Sequence, residues 1–298
     1  ECKVMLKDES FNKVFIGSGL TAELFLNALI RHKGESPDDF YILSKNKERC
    51  EELAYKYQIR ATTNFHAFIS KAKVVVLAVD LPDLDGIPAL VNLIRGQVPP
   101  DALINSVTPR LKIAKIEEYF PNHPVMRLSI NFSAPNGNSI GSYWCGSVSP
   151  EDTAPVAKFL IQCFGELLEV NSEEEFEKIH EIIFAQNCSV YLSMKTFIDA
   201  YLKLGLTHEQ AQKIAVNTYK GVVESFSGEH KDIIVNRIFE YKNVLAEGLA
   251  IMEDLGIAQT LRKVHELPPE KAQEQLAKAR QAQRAENAKY RVHYSNWD

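Results

Sequence analysis

The hydrophobic positions in the first half of the chain fall in short apolar runs separated by amphipathic stretches. The runs predict strands buried on both faces, and the stretches, where apolar residues recur every three or four positions, predict helices. We expect strands at 13–16, 40–43, 74–79, 102–106, 125–127, 140–145 and 167–170, and helices at 48–57, 65–72, 84–94, 113–119 and 149–163. This alternation is typical of a doubly wound α/β fold with a parallel sheet.

From residue 173 onward the pattern changes, because nearly all apolar residues recur at helical spacing. We therefore expect an all-α domain that begins near residue 172. Long amphipathic helices that cannot close a core alone commonly bury their apolar stripes against another copy of the chain. The pattern thus predicts a homodimer or a higher homo-oligomer that assembles through this domain.

A glycine motif directly follows the first apolar run. Residues 17–22 read Gly-Ser-Gly-Leu-Thr-Ala, the spacing typical of a turn that binds a dinucleotide pyrophosphate. Gly17 permits the tight turn and Gly19 lets the backbone approach the phosphates, while the amides that open the next helix face the anion. The alternative is a glycine-rich turn that binds no nucleotide. The predicted cofactor residues here are Gly17, Ser18, Gly19, Leu20 and Thr21, joined by Ala78 and Val79.

The residues after the second predicted strand indicate which nucleotide is bound. An Asp or Glu at this place accepts hydrogen bonds from the ribose 2′-hydroxyl and repels a 2′-phosphate. Here the strand is followed by Ser44, Lys45 and Lys47, which suit a 2′-phosphate. We predict NADP rather than NAD as the cofactor. The alternative is that the two lysines are solvated loop charges.

Composition narrows the class of protein. The chain has 34 basic and 39 acidic residues and a net charge of -5, which does not favour a nucleic-acid partner. The five scattered cysteines have neither zinc-site spacing nor a disulfide framework, so we expect no metal. The longest apolar run, 74–79, is too short to span a bilayer, and no signal-peptide pattern opens the chain. We expect a cytoplasmic enzyme with a small-molecule substrate and no membrane partner.

Four segments carry a resemblance to a known family: Ile-Gly-Ser-Gly at 16–19, Val-Leu-Ala-Val at 76–79, Pro-Val-Met-Arg at 124–127 and Lys-Leu-Gly-Leu-Thr-His-Glu-Gln-Ala at 203–211. On these segments the chain, as far as about residue 260, resembles the pyrroline-5-carboxylate reductase family. The resemblance implies a Rossmann domain followed by a helical dimerisation domain. It also implies hydride transfer from a nicotinamide to a cyclic imine.

The resulting division of the chain has three parts. We expect a dinucleotide-binding Rossmann domain at 1–171 and a helical dimerisation and substrate domain at 172–265. The segment 266–298 is rich in charged residues and has few large apolar ones, so we expect a helical or partly disordered tail.

The chain departs from the family where the family binds its substrate. The family's Ser-Gly-Ser-Gly-Pro-Ala-Tyr loop, which holds the substrate carboxylate, matches residues 185–191, where only Tyr191 is retained. Its Ser-Pro-Gly-Gly-Thr-Thr motif matches residues 240–245, and nothing is retained. Its Met-Pro-Asn-Thr-Pro segment near the nicotinamide matches residues 129–133 and keeps Asn131. Loss of these donors predicts weak binding of the usual substrate.

Reduction by hydride transfer also needs a source of protons beside the cofactor. The candidate catalytic residues are Asn131, which can orient the carboxamide or a water, and the proton donors or anion anchors Tyr191, Lys195, Tyr241 and Lys242. A lysine or tyrosine becomes effective only where burial shifts its pKa toward neutrality. The alternatives are a packing aromatic at 191 and a surface lysine at 195.

Three further residues are candidate substrate ligands. Arg127, at a predicted strand end, pairs with a bound anion or forms a structural ion pair. Gln186 and Asn187, in the segment matched to the family's carboxylate-binding loop, fill space and present amide dipoles. His180 and His208 have no convincing partner in the sequence, so we expect an exposed helical histidine at 180 and assign neither a catalytic role.

Three functions are compatible with the sequence. The favoured one is an NADP-dependent reductase of this type that acts on another imine or carbonyl compound. The reason is that the cofactor-binding motif is intact, whereas the family's substrate-binding motifs are replaced. The second is a catalytically degenerate nucleotide-binding sensor or interaction protein. The third is a true pyrroline-5-carboxylate reductase with an atypical pocket.

Overall fold

The computed structural model of the chain describes residues 11–79, 86–108, 111–131, 133–147, 164–228 and 244–266. The chain separates into two compact units, Glu1–Asn187 and Cys188–Asp298. The domain boundaries expected near residues 172 and 266 stay predictions.

One eight-stranded sheet forms the centre of the first unit. Its strands are β1 (Lys13–Ile16), β2 (Phe40–Leu43), β3 (Arg60–Thr62), β4 (Val74–Leu77), β5 (Leu103–Ser106), β6 (Val125–Ser129), β7 (Ser139–Cys145) and β8 (Gly165–Glu169). They lie in the order β3-β2-β1-β4-β5-β6-β7-β8. Strands β1 to β6 are parallel, β7 is antiparallel to β6, and β8 is parallel to β7. The first six strands have the order of a Rossmann fold, so the predicted fold class is confirmed.

Helices cover both faces of this sheet. They are α1 (Leu20–Leu26), which continues as a π-helical turn (Asn27–His32), then α2 (Lys47–Tyr57), α3 (Ile87–Ile94), α4 (Ile113–Tyr119) and the first part of α5 (Glu173–Lys203). Because successive strand residues point to opposite faces, Phe15 joins one core with Phe25, whereas Val14 and Ile16 join the other with Ile94. Two buried cores therefore fix the sheet between its helical layers.

The second unit is helical among the residues described there. It contains the end of α5, then α6 (His208–Gly228), α7 (Val244–Asp254) and α8 (Ile257–Glu266). Thr207 and Gln210 form a reciprocal capping box at the start of α6, with bonds of 3.0 and 3.2 Å. The predicted helical domain is confirmed. None of the helices in the described part of the chain is both long and apolar enough to cross a membrane.

Two sequence predictions of local structure need correction. The helix predicted at 65–72 is wrong, because only a 3-10 turn (Ile69–Lys71) forms there. Phe68 adopts a φ of 67°, a left-handed conformation that a helix cannot continue through. The short edge strand β3 was not predicted, since three residues carry too little alternation to be recognised. The helix predicted at 149–163 lies outside the described residues.

Candidate active site

The glycine turn after β1 is held by close contact with the neighbouring strand. Gly17 has a φ of 114°, and its amide donates a hydrogen bond of 2.9 Å to the carbonyl of Leu43. A Cβ at position 17 would lie 2.8 Å from the carbonyl carbon of Ala78, and closer still to its oxygen. Position 17 therefore requires glycine for both its conformation and its space.

Helix α1 begins directly after this turn. Gly19 is its N-cap residue in an extended conformation, and no side chain caps the helix. The first amides of a helix have no partner within the helix, so they are available to an anion. Ala22 is fully buried and lets α1 lie close to the sheet.

A cavity of 660 Å³ opens at the carboxyl ends of β1, β2 and β4. Its walls are the turn 17–19, residues 44–46 with Arg49, and Ala78 with Val79. The hydroxyls of Ser18 and Ser44 lie 2.7 Å apart and link the glycine turn to the end of β2. The volume is within the range of about 300–1,000 Å³ typical of cofactor sites.

The three residues predicted to bind the 2′-phosphate do not all line the large cavity. Ser44 and Lys45 line the large cavity. Lys47 is 80% exposed, lies outside the lining and approaches Glu51 at 3.7 Å. The structure thus brings two of the three residues to the cavity.

Arg49 also lines this cavity, although the sequence analysis did not single it out. Its Nε donates to the carbonyl of Ser18 at 3.1 Å, and its guanidinium pairs with Glu23 and Glu52. Asn46 caps α2 by accepting a hydrogen bond of 3.0 Å from the Arg49 amide. The signal that could have identified Arg49 in the sequence is its position in the first turn of the helix that follows β2.

A second cavity, of 130 Å³, lies at the carboxyl ends of β5 and β6. Its lining consists of Thr21 and Leu24 from α1, Ser106, Val107 and Thr108 after β5, Arg127, Leu128, Ser129, Ile130 and Asn131 of β6 and its extension, and Phe176, His180, Ile183, Phe184 and Asn187 of α5. Most of this surface is apolar, with a few polar groups. That composition is typical of a small-molecule site.

Thr108 connects the two cavities. It lines the smaller one, and its hydroxyl accepts a hydrogen bond of 3.1 Å from the amide of Val79, which lines the larger one. The same hydroxyl donates to the carbonyl of Leu77 at 3.1 Å. The walls of the two cavities are therefore in direct contact at Thr108 and Val79.

Arg127 is held by two carboxylates. Its Nη1 lies 2.6 Å from a carboxylate oxygen of Glu173 and 2.6 Å from one of Glu177, and its guanidinium stacks on Phe176 at 4.3 Å. Only 2% of its side chain is exposed. One guanidinium and two carboxylates leave the cluster with a net charge of -1. This geometry favours the structural ion pair among the alternatives considered for Arg127.

His180 was expected to be an exposed helical histidine, and that expectation is wrong. The ring lines the smaller cavity, and its Nδ1 lies 2.7 Å from the hydroxyl of Ser129. Burial lowers the pKa of His180, with Arg127 acting in the same direction and Glu177 opposing it. Helical spacing could not reveal this contact, because Ser129 is 51 residues away in the sequence.

Asn131 and Asn187 lie in the lining of the same cavity. The Oδ1 of Asn131 accepts from the amide of Ser133 at 2.8 Å, and the Nδ2 of Asn187 donates to the carbonyl of Ile183 at 2.8 Å. Gln186 is exposed and is not part of the lining.

The remaining catalytic candidates are not in this lining. Tyr191 and Lys195 belong to the second unit, where Tyr191 is 53% exposed and Lys195 lies 2.5 Å from Asp199. Tyr241 and Lys242 lie outside the described residues. Among the residues described, no cluster of His, Cys, Asp and Glu has the geometry of a metal site.

The fold and the paired cavities define a two-domain oxidoreductase of Rossmann type. Residues 13–104 match the family described as NADP oxidoreductase coenzyme F420-dependent, and residues 173–275 match pyrroline-5-carboxylate reductase dimerisation. A pyrroline-5-carboxylate reductase of Synechocystis is 25% identical over 83% of this chain and 91% of its own length. Pyrroline-5-carboxylate reductase 1 of Bacillus subtilis is 26% identical over 81% of this chain and 82% of its own. Over more than four-fifths of its length the chain is thus similar to pyrroline-5-carboxylate reductases, and residues 173–275 match their dimerisation domain.

Solved structures share this fold. The pyrroline carboxylate reductase of Plasmodium falciparum, solved with NADP bound, has a TM-score of 0.75 at 19% identity and covers 87% of this chain and 95% of its own. The pyrroline-5-carboxylate reductase of Coxiella burnetii has a TM-score of 0.69, also at 19% identity, and covers 89% of this chain and 98% of its own.

Proposed function

We propose that this protein is an NADP-dependent reductase that transfers a hydride to a C=N or C=O group in the smaller cavity. The observation that carries the proposal is the contact between Thr108 and Val79, which places the wall of a small, mostly apolar cavity directly beside that of a cavity of dinucleotide size. Ligands of such sheets bind outside the carboxyl ends of the strands, where both cavities lie. The relative from Plasmodium falciparum, which has this fold, carries NADP in its solved structure.

The residues of the large cavity fit the dinucleotide. The Gly17 turn and the amides that open α1 would hold the pyrophosphate. Ser44 and Lys45 would hold the 2′-phosphate through hydrogen bonds, charge-assisted from Lys45. Arg49 is instead paired with two carboxylates and supports the Ser18 carbonyl. The nicotinamide, when bound, supplies the hydride, and the protein supplies position and protons.

The substrate differs from pyrroline-5-carboxylate in this proposal. That compound carries a carboxylate, and the arginine beside the smaller cavity is already paired with Glu173 and Glu177. The net charge of this cluster opposes a second anion. The amides of Gln186 and Asn187 lie in the segment that matches the family's carboxylate-binding loop. A neutral carbonyl or a cationic imine fits this environment better.

A second candidate function follows from the size of the smaller cavity. At 130 Å³ it is below the range of about 300–1,000 Å³ usual for ligand pockets. That size favours either a very small substrate or a protein that binds the nucleotide without turnover and acts as a sensor. A true pyrroline-5-carboxylate reductase with an atypical pocket is the third possibility.

We also infer a homodimer that assembles through the second unit. Residues 173–275 match the dimerisation family, and several large apolar side chains of that unit are exposed in the single chain. Among them are Leu192 at 67% and Leu204 at 79%. Burial of such side chains against another copy would remove them from water. The cytoplasmic location expected from the sequence stays a prediction.

The deciding experiment is a fluorescence titration of the purified full chain with NADPH and with NADH. NADPH oxidation is then followed on the same sample with pyrroline-5-carboxylate, 1-pyrroline and butanal. Tight NADPH binding with turnover of 1-pyrroline or butanal alone supports the proposal. NADPH binding without any turnover supports the sensor, and rapid turnover of pyrroline-5-carboxylate supports the third possibility. Absence of binding to either nucleotide overturns all three.

A further inference from the structure

We propose that His180 donates the proton that the substrate takes up during reduction, and that the hydroxyl of Ser129 positions its ring. The inference deepens the proposed function and rests on it. The proposal assigns a catalytic role to His180, for which no partner could be recognised in the sequence.

The position of the ring is the first argument. Ser129 is the last residue of β6, and His180 lies in the third turn of α5, so two rigid elements hold the pair. Both residues line the smaller cavity, and Nδ1 is 2.7 Å from the serine hydroxyl. Within the described part of the chain, Nε2 makes no hydrogen bond and can serve a ligand. A second group that orients the ring is the usual arrangement for a histidine acid or base.

Several other polar groups of the described lining are already bound or do not titrate. The hydroxyl of Thr108 both donates and accepts, and Nη1 of Arg127 is paired with two carboxylates, while its buried Nε has no hydrogen-bond partner among the described residues. The amides of Asn131 and Asn187 do not titrate. Among these residues, His180 therefore combines a titratable ring with an open nitrogen.

Charges around the ring set its acid strength. Glu177 lies nearly one turn earlier on α5 and favours the protonated form, whereas burial and Arg127 from β6 favour the neutral form. Glu181 follows directly on the same helix, and Glu173 is bound to Arg127. Because burial dominates, the pKa of His180 is below its usual value, and the imidazolium is a stronger acid than a solvated histidine.

The chemical step balances as follows. The dihydronicotinamide supplies a hydride to the carbonyl carbon and becomes the oxidised cofactor. The π-electron pair of the C=O bond moves to oxygen, and that oxygen takes the proton from the His180 imidazolium. The product is an alcohol, and the neutral imidazole regains a proton from solvent. For a neutral imine the same proton goes to nitrogen and gives an amine.

The first test needs no turnover. Full-length protein labelled with isotopes at histidine is titrated by NMR, and the His180 signal is assigned from its loss in His180→Asn. We expect Ser129→Ala to change the Nδ1 shift and the pKa of His180 while the signal of exposed His208 stays unchanged. An unchanged His180 signal in Ser129→Ala would show that the serine does not position the ring.

The second test is kinetic, with butanal as the carbonyl probe. We expect His180→Gln to lower kcat about 100-fold or more while NADPH affinity stays within about twofold. The wild-type kcat/KM should fall about tenfold for each pH unit above the pKa of His180, and the variant should lose that dependence. Ser129→Ala should show a smaller loss that Ser129→Thr restores. His208→Gln is the matched control.

Each outcome has a separate meaning. If NADPH does not bind, the proposed function itself fails. If NADPH binds and the wild-type protein turns over none of the probes, the reductase and its proton donor are both overturned, and nucleotide binding alone is left. If His180→Gln keeps the wild-type rate and pH profile, only the role of His180 is overturned.

Discussion

A Cβ atom at position 17 would lie 2.8 Å from the carbonyl carbon of Ala78. These two residues belong to the ends of adjacent parallel strands, β1 and β4, and their backbones touch without an intervening side chain. The glycine motif is therefore required by the packing of the sheet as well as by a nucleotide.

Gly17→Ala should damage both folding and nucleotide binding. The new methyl group meets backbone atoms that cannot rotate away, and the φ of 114° is a strained conformation for any residue that carries a Cβ atom. We expect a fall in Tm, because the strain adds about 1–3 kcal/mol to the folded state, and a loss of NADPH affinity of about tenfold or more, because a displaced turn no longer fits the pyrophosphate. Thermal unfolding and fluorescence titration measure the two effects.

Gly96→Ala provides the control, because a Cβ atom at that position would have no heavy atom of the described residues within 4 Å, apart from its chain neighbours. It should leave NADPH affinity and Tm unchanged. Equal effects of the two substitutions would show that the Ala78 contact is not the cause.

Substitutions of Lys45 and Lys47 should have different effects on the preference for NADPH over NADH. Lys45 lines the large cavity, whereas Lys47 is 80% exposed and outside the lining. We expect Lys45→Ala to weaken NADPH binding about tenfold and NADH binding hardly at all, because only NADPH carries the 2′-phosphate. Titrations with both nucleotides test this, with Lys47→Ala as the matched variant. An equal loss for both nucleotides in Lys45→Ala would contradict the assignment.

Arg127→Met should destabilise the first unit by about 3–5 kcal/mol. The substitution keeps the volume but leaves Glu173 and Glu177 without the guanidinium that both contact at 2.6 Å. Urea unfolding measures the change in the free energy of unfolding. The triple variant with Glu173→Gln and Glu177→Gln should recover part of the loss, because no unpaired carboxylate then remains. A loss below about 1 kcal/mol, the range of surface pairs, would refute this account.

Glu23 should make stability depend on acidic pH. Burial raises its pKa, but hydrogen bonds from Lys56 and Arg49 outweigh burial, so the pKa of Glu23 is lowered in the folded protein. The contribution of Glu23 to the free energy of unfolding is therefore complete above about pH 4.3, the pKa of a glutamate in the unfolded chain. It is lost as the pH falls through the lower pKa of the folded protein. We expect Glu23→Gln to cost about 2 kcal/mol at pH 7 and nothing at the acidic end of the window.

Chemical unfolding of both proteins between pH 7 and pH 3 checks this prediction. Glu51→Gln is the control, since that exposed carboxylate has one ion-pair contact at 3.7 Å. A cost of Glu23→Gln that is constant across this pH range would rule the linkage out.

Leu192→Lys should weaken the homodimer. Leu192 is a large apolar side chain that is 67% exposed in the second unit of the single chain. A charge placed in an apolar interface costs free energy on association. Light scattering after size-exclusion chromatography should show a shift toward monomer. Tyr55→Lys, at a first-unit residue that is 84% exposed, should leave the mass unchanged; a similar shift there would point to general destabilisation.

Much of the fold could be predicted because its signals are local. The apolar run at 74–79 contains β4, which ends two residues earlier at Leu77, and the amphipathic stretch at 113–119 became α4 with unchanged bounds. The helix predicted at 65–72 failed where a left-handed Phe68 overrode the apolar spacing. Such a backbone reversal depends on the packing of Phe68 against Tyr41, which is remote in sequence.

Part of the lining of the large cavity could also be predicted, since Gly17, Ser18 and Ser44 directly follow the strands that place them. Most of the lining of the smaller cavity could not. The bond between Ser129 and His180 joins residues far apart in the sequence, and periodicity contains no information on such pairs. Arg49 was missed for a related reason, because its contact with Ser18 crosses from α2 to the first glycine turn.

The meeting of β6 with α5 has an evolutionary consequence. Arg127 and Ser129 point from one face of β6, two residues apart, to side chains spaced by three or four positions on α5. One residue inserted between them would turn Ser129 to the opposite face and leave Arg127 in place. An insertion or deletion in β6 would therefore separate the ion pair from the contact between Ser129 and His180. Single substitutions would change the chemistry of this place and keep the backbone register.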